Sequence, residues 1–241
     1  MRAVKYAVLS DIHSNLEALQ TALDYLADKQ IDQYLILGDI VGYAANPNEC
    51  LGLISKLPAR IVAGNHDKAA LDLTQAAGFN DAAYEAICWT KDCLAAEWSS
   101  FLNNLPLMHI ASNCTIAHGS MDCPEAFHYL FYFDDALPSF QRLETPLGWI
   151  GHTHVPQIFM KKERMTSYLK EGTYPLDRNE TYLINPGSIG QPRDHDPRLS
   201  FAIFDEQDYQ LEIVRLGYDN QKTAQKIRAA GLPEYLASRL L

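Results

Sequence analysis

Val4 to Leu9 forms an apolar run broken only by Lys5, the pattern of a buried strand, and it stops abruptly at Ser10-Asp11-Ile12-His13. From Leu16 the spacing turns helical, with Leu16, Leu19, Leu23 and Leu26 three or four apart. A second apolar run, Tyr34 to Leu37, ends in Gly38-Asp39. Asn46-Pro47 predicts a helix start, Asn as cap and Pro at the first helical position, with Cys50, Ile54 and Leu57 continuing one face. A third strand, Arg60 to Ala63, runs into Gly64-Asn65-His66-Asp67. A long helical stretch is then predicted over about Asp81 to Leu105, where Tyr84, Ile87, Leu94, Trp98, Phe101 and Leu105 share a face and serve as scaffold.

Beyond that stretch the chain reads mostly as strands. Cys114 to Ala117 leads into His118-Gly119, and Trp149-Ile150 into Gly151-His152-Thr153-His154. Thr181 to Ile184, Leu199 to Phe204 and Gln210 to Leu216 predict a second sheet, while the basic cluster Lys161 to Arg164 reads as a solvated hairpin turn. The tail from about Gln221 to Leu241 is helical with a break at Gly231-Leu232-Pro233. With no internal repeat, low-complexity segment or Gly/Ser linker, residues 1–241 are expected to form one domain.

Composition narrows the function. At 47% hydrophobic and 21% charged, the 241 residues can bury a full core. A net charge of −10, from 20 Lys+Arg against 30 Asp+Glu, argues against nucleic-acid polymers and anionic membranes as partners, because both reward basic clusters. No run reaches the roughly 18 to 20 apolar residues of a bilayer span, and the start meets polar residues too soon for a signal-peptide core, so a cytoplasmic location is expected. Cys50, Cys88, Cys93, Cys114 and Cys123 contain no CxxC pair and read as reduced thiols.

The strand ends collect Asp11, His13, Asp39, Asn65, His66, His118, His152 and His154, which include five of the eight histidines. In open α/β sheets ligands bind beyond the carboxyl ends of strands, so the recurrence predicts one shared site. Imidazoles, carboxylates and an amide oxygen without cysteine suit Mn, Fe or Zn and are too rich in nitrogen for a Mg or Ca cage. A shared carboxylate with ligands on both sides can hold two ions about 3.5 to 4 Å apart.

In order and approximate spacing, Asp11-Ile12-His13, Gly38-Asp39, Gly64-Asn65-His66-Asp67, Ala117-His118-Gly119 and Gly151-His152-Thr153-His154 resemble the calcineurin-like metallophosphoesterase superfamily. The resemblance covers residues 1 to about 205. Gly42-Tyr43, Asn185-Pro186-Gly187-Ser188 and Gly190-Gln191-Pro192-Arg193-Asp194 resemble its compact prokaryotic phosphodiesterase branch. It implies an α/β (α+β) fold, a four-layer αββα sandwich of two mixed β-sheets flanked by helices. It also implies two divalent ions, Mn foremost with Fe, Zn, Ni or Co as alternatives. Asp11, His13 and His154 would hold the first ion, Asn65, His118 and His152 the second, and Asp39 would bridge them. His66 would be catalytic, contacting phosphoryl oxygens or protonating the leaving oxygen, while metal-activated hydroxide attacks phosphorus. The implied substrate is a small phosphodiester, nucleotide or dinucleoside polyphosphate. Phosphomonoesterase, protein phosphatase and a non-catalytic interaction scaffold are the alternatives, and a homo-oligomer is compatible.

Departures from the family pattern matter. The protein-phosphatase branch carries Asp and Arg shortly after its GD block, where this chain has Gly42 and Tyr43. His66 therefore lacks its usual acidic partner, with Asp67 and Asp194 as possible substitutes. Arg193 is the candidate phosphate grip, since a guanidinium matches phosphate bidentately, with pairing to Asp194 or Asp196 as the other reading. Asn65 and His66 are expected to contact substrate, as is Tyr43, through a base or a phosphate, or else to pack in its loop. The run Phe127 to Phe133 reads as an edge strand, as dimer packing or as the wall of a nucleobase pocket, and Ser14, where relatives carry Gly, is expected to matter little. His109, His128 and His195 read as ordinary surface or loop residues, with substrate contact as the other reading for His195.

Overall fold

The computed structural model describes residues 3–111 and 113–241. Among them, two six-stranded mixed sheets pack face to face with helices outside, the expected architecture. In the first sheet β1 (Lys5–Leu9) lies parallel to β2 (Gln33–Ile36), and β2 parallel to β3 (Ala59–Ile61). The second sheet holds β4 (Met108–Ile110), β5 (Cys114–Ala117), β6 (Leu147–Trp149), β7 (Pro156–Met160), β8 (Met165–Tyr168) and β10 (Tyr182–Pro186). The first sheet is completed by β9 (Gly172–Pro175), β11 (Leu199–Asp205) and β12 (Gln210–Leu216). Strand order is β3-β2-β1-β11-β12-β9 in one sheet and β4-β5-β6-β10-β7-β8 in the other. The late strands β11 and β12 therefore join the first sheet, against the expectation that they belong to a second one. β11 pairs antiparallel with β1, Lys5 opposite Asp205, and this closes the chain on itself.

Alternation explains the layering. Tyr6 and Val8 face the inter-sheet core with Trp149, Ile184 and Phe204, while Ala7 and Leu9 face the helices. Successive strand residues point to opposite faces, and strands covered on both faces read as unbroken apolar runs. The helices are α1 (Leu16–Leu26), α2 (Pro47–Ile54), α3 (Asn65–Leu71), α4 (Asp81–Cys93), α5 (Ala96–Asn103), α6 (Phe133–Arg142), α7 (Asn220–Ala229) and α8 (Glu234–Ser238). The long helix expected to Leu105 is broken at Leu94-Ala95, where Asn48 clips both sides: its amide donates to the Cys93 carbonyl (2.9 Å) and accepts from Ala95 N–H (2.9 Å). Asn46 precedes α2 as expected, yet its side chain does not cap. It binds Glu49 and accepts from Lys226 instead. The aromatic run from Phe127 is no edge strand but an irregular segment that enters α6 at Phe133. No helix among the described residues is long and apolar enough to cross a membrane.

Parallel pairing sends the carboxyl ends of β1, β2 and β3 to one edge of the first sheet, and the β5–β6 and β6–β10 pairings do the same in the second. The turns beyond these ends are held in unusual backbone. Asp11, His13, Ser14, Asp39, Tyr43, His152 and His154 all have φ between 49° and 69°. Such left-handed residues cost about 1–3 kcal/mol each and persist where surrounding contacts over-determine them. Ser14 is tied by Ile40 and Asn46 backbone bonds, and its buried hydroxyl has no partner among the described residues. The expectation that Ser14 matters little is thereby revised. Replacing it by glycine removes both costs, so Ser14→Gly is expected to stabilise the protein by about 1 kcal/mol and raise Tm by about 2–4 °C in calorimetry. A lowered Tm would contradict this account.

Candidate metal centre

The turns beyond the parallel strands meet in one cluster. Gly38 has φ +89°, and a Cβ there would come within 2.5 Å of Gly64 N. A Cβ on Gly64 would in turn collide with the Asp39 carboxylate. Only glycine at both positions lets the second and third turns touch, which brings Asp39 beside Asn65 and His66. The His66 N–H donates to Asp39 Oδ1 (2.9 Å). Asp67 locks the same pair of turns, accepting from Gly64 N–H, Ile40 N–H and Val41 N–H at 2.9, 2.9 and 3.2 Å. Its bond to Gly64 is one half of a capping box at the start of α3.

Two ligand-type clusters result, Asp11 with His13 and His154, and Asp39 with His118 and His152, each with its ligand atoms within 4.8 Å of one another. Asn65 Oδ1 joins the second, 3.2 Å from His118 Nε2. Asp39 Oδ2 lies between the two, 3.6 Å from His13 Nε2 and 3.2 Å from His118 Nε2. All seven residues expected to ligate are thus brought together, and a His66 ring nitrogen also comes within 4.8 Å of the His13 and Asp39 ligand atoms.

Hydrogen bonding tests whether the set suits cations. Carbonyl oxygens only accept, so His13 must donate from Nδ1 to Val41 O (3.2 Å), His118 from Nδ1 to Leu37 O (2.7 Å) and His154 from Nδ1 to Gln191 O (2.6 Å). In the neutral rings each Nε2 then carries a lone pair. His13 Nε2 and His154 Nε2 face each other at 3.2 Å, and Asp11 Oδ1, buried without a hydrogen-bond partner among the described residues, lies 3.3 Å from His154 Nε2. Converging lone pairs and an unpartnered carboxylate oxygen fit a divalent cation and fit little else.

The protonation states agree. Burial holds His13, His152 and His154 well below the usual histidine range, leaving them neutral as ligands must be. For Asp39, burial is outweighed chiefly by His118, whose charge keeps the carboxyl ionised. Burial pushes Asp11 up to about 6, with His118 pulling the other way. Burial would lower His118, but Asp39 and Asp11 hold it at about 9, so a proton there supplies the positive charge the carboxylates demand.

His66 has a different setting from the one its acidic substitutes suggested. Asp67 is turned to backbone, as described, and Asp194 is paired with buried Arg215. At the position of the protein-phosphatase Asp, Gly42 leaves no room, since a Cβ would lie 2.5 Å from His66 Nδ1. Rings clamp the imidazole instead, with centroids of Phe79 at 4.4 Å, Tyr43 at 4.5 Å and His13 at 4.8 Å. Its Nδ1 is buried and unpartnered among the described residues, and burial lowers its pKa to about 4, which makes the ring neutral at pH 7.

Arg193 pairs with neither Asp194 nor Asp196. Its guanidinium donates to Gln191 Oε1 (3.0 Å) and to the Tyr43 hydroxyl (3.3 Å). Tyr129, from the aromatic run, stacks on His152 at 3.8 Å between centroids. Asn65, His66, Tyr43, Tyr129 and Arg193 line a cavity of about 150 Å³ beside the cluster. A larger cavity of about 710 Å³ lies on the other side of Arg193, where His195 and the Arg215–Asp194 pair form its wall. Tyr129 belongs to the run read as a pocket wall, whereas the C-terminal residues at the smaller cavity, Tyr235, Leu236 and Arg239, escaped the sequence, because nothing in their spacing marks them.

Residues 4–209 match the calcineurin-like phosphoesterase superfamily domain, and the chain belongs to that superfamily. Over 240 residues it is 44% identical to an uncharacterized protein of Methanocaldococcus jannaschii, MJ0912, spanning 97% of this chain and 96% of the relative. It is similar in structure to a metallophosphoesterase from Sphaerobacter thermophilus, with a TM-score of 0.90 and 36% identity over 99% of this chain and 98% of that one. Hypothetical protein PH1004 from Pyrococcus horikoshii shares the fold at 22% identity, with a TM-score of 0.80 over 98% of this chain and 97% of that one. Divalent metals are the superfamily's cofactors, and the two clusters are suited to them.

Because His118, with a pKa of about 9, must lose its proton to ligate, cation binding competes with protons. Titration calorimetry with Mn²⁺ at pH 7.5, in two buffers of different ionisation enthalpy, is expected to show about one proton released as the centre that contains His118 fills. Apparent affinity should rise from pH 6 to pH 8. Affinity independent of pH, or retained in full by Asp39→Asn, would contradict the assignment.

Proposed function

We propose that this member of the calcineurin-like phosphoesterase superfamily hydrolyses a small phosphodiester, nucleotide or dinucleoside polyphosphate with two divalent ions, Mn²⁺ foremost. Asp11, His13 and His154 would hold one, Asn65, His118 and His152 the other, with Asp39 shared. The observation that carries the reading is the convergence of imidazole lone pairs and unpartnered Asp11 Oδ1 on the gap between His13 and His154, beside a carboxylate within reach of both clusters. When bound, two divalent ions acidify water and neutralise phosphoryl oxygens, which is how a chain of net charge −10 can handle an anionic substrate.

The chain's own residues divide the remaining work. Arg193, oriented by Gln191 and Tyr43, presents a planar donor pair to phosphoryl oxygens. His66 is neutral, so an N–H from its ring donates a hydrogen bond to a phosphoryl oxygen and holds the ester in place. A neutral imidazole with a pKa near 4 carries no spare proton at pH 7, which favours positioning over protonation of the leaving oxygen. The contact between the Gly42 position and His66 counts against a protein-phosphatase arrangement, as a side chain there would strike the ring. The complete ligand set counts against an interaction scaffold.

Mn²⁺-stimulated hydrolysis of bis(p-nitrophenyl) phosphate, abolished by chelation, is the expected result, with diesters favoured over monoesters in a substrate panel. His66→Ala should lower kcat about a hundredfold or more, and His66→Gln, which keeps a donor, should recover part of it. The loss in His66→Ala should be similar for good and poor leaving groups. Full activity in Asp39→Ala would overturn the metal reading, and a His66 effect confined to poor leaving groups would restore it as the proton donor.

A further inference from the structure

The family match ends at residue 209, yet the C-terminal helices α7 and α8 return to the candidate site. α7 is fixed to α1, with Thr223 donating to Asn15 Oδ1 (3.0 Å) and Lys226 bridging Glu17 (2.6 Å) and Asn46 (2.9 Å). Leu236, Ala237 and Leu240 are buried beside Ala44 and Ala86, with Tyr43 packed against them. So anchored, α8 brings Tyr235 and Arg239, four residues apart and on one face, to the same cavity of about 150 Å³ as Asn65, His66 and Arg193.

We propose that Arg239, positioned by Tyr235, is a specificity-determining residue that binds a second phosphate of the substrate, making the substrate an oligophosphate ester. The proposal rests on the phosphoesterase reading above. Arg239 donates to the Tyr235 hydroxyl (2.6 Å), and Arg193 to the Gln191 amide and the Tyr43 hydroxyl. Neutral oxygens orient both guanidiniums without cancelling their charge, and neither forms an ion pair with a carboxylate among the described residues. Arg198, Arg215 and Arg228 by contrast are paired with Asp196, Asp194 and Glu234. Two uncompensated guanidiniums on one small cavity, from separate elements, call for two anionic groups. The lining agrees, since Asn65 and His66 stand beside the two guanidiniums and offer further polar groups to the same cavity. Arg193 lies in the turn beyond β10, within the matched family span, and Arg239 lies outside it. The C-terminal helices therefore add a second anion contact to a site whose first is built by the common fold.

The test uses the full chain loaded with Mn²⁺ at fixed free metal. Calorimetric titration with inorganic pyrophosphate and with inorganic phosphate should show at least tenfold tighter binding of pyrophosphate, and Arg239→Ala should erase most of that preference. In hydrolysis, Arg239→Ala should lose at least tenfold more kcat/KM on diadenosine tetraphosphate than on bis(p-nitrophenyl) phosphate, chiefly through KM, with Arg239→Lys recovering part. Tyr235→Phe, which removes only the hydroxyl, should give a smaller loss of the same kind and serves if the arginine variant folds poorly. Equal losses on both esters, or an unaltered pyrophosphate preference, would overturn the second-phosphate role while leaving the phosphoesterase reading intact. Absence of hydrolysis of any ester by the unmodified chain would overturn that reading, and the pyrophosphate titration would still decide the role of Arg239.

Discussion

The carbonyl oxygens of Val41, Leu37 and Gln191 each take the Nδ1 proton of a histidine, and so determine which nitrogen of His13, His118 and His154 faces inward. All three acceptors are main-chain atoms of turns beyond strand ends, so the orientation of the imidazoles is a property of the sheets rather than of mobile side chains. Hydrogen bonds of this kind fix both tautomer and ring direction and raise the basicity of the remaining nitrogen. The rest of the centre depends on this. Once the lone pairs converge, the buried carboxylates of Asp11 and Asp39 have company that only a positive charge makes favourable.

That arrangement is costly to fold. Asp11 and Asp39 are both wholly buried, and seven residues of the surrounding turns sit in left-handed backbone. Buried like charges and strained dihedrals survive where a large, well-packed core over-determines them. Here the inter-sheet layer around Trp149, Ile184 and Phe204 performs that function, and the glycine contact between the second and third turns leaves no slack. A cation bound by these groups in the folded chain alone would add its binding free energy to folding stability.

The strands and their polar ends were legible because a buried strand that stops at Asp, His or Asn announces both its element and its chemistry. Asp11, Asp39, Asn65, His118, His152 and His154 could each be found from that punctuation. What escaped notice depends on contacts distant in sequence. The break at Leu94-Ala95 comes from Asn48, more than forty positions away, and the apolar spacing runs through it undisturbed. The start of α3 at Asn65 was hidden behind the short polar block itself, and α6 behind an aromatic run with Pro138 in the helix. The sheet to which β11 and β12 belong is a question of pairing partners, which alternation along one strand does not address. Tyr235 and Arg239 look like any solvent-facing pair on a terminal helix until the packing of α7 on α1 shows what they overhang.

The pairing of β1 with β11 sets the order in which the molecule can be built. Asp11, His13 and Asp39 leave the ribosome early, but His152 and His154 follow more than a hundred residues later, and the strand that seals β1 later still. Contacts of such sequence separation form late and slowly, since loop closure must precede them. A nascent chain therefore exposes half a ligand set that cannot close around a metal. The finished cage, and with it any hydrolytic competence, is withheld until synthesis has passed β11.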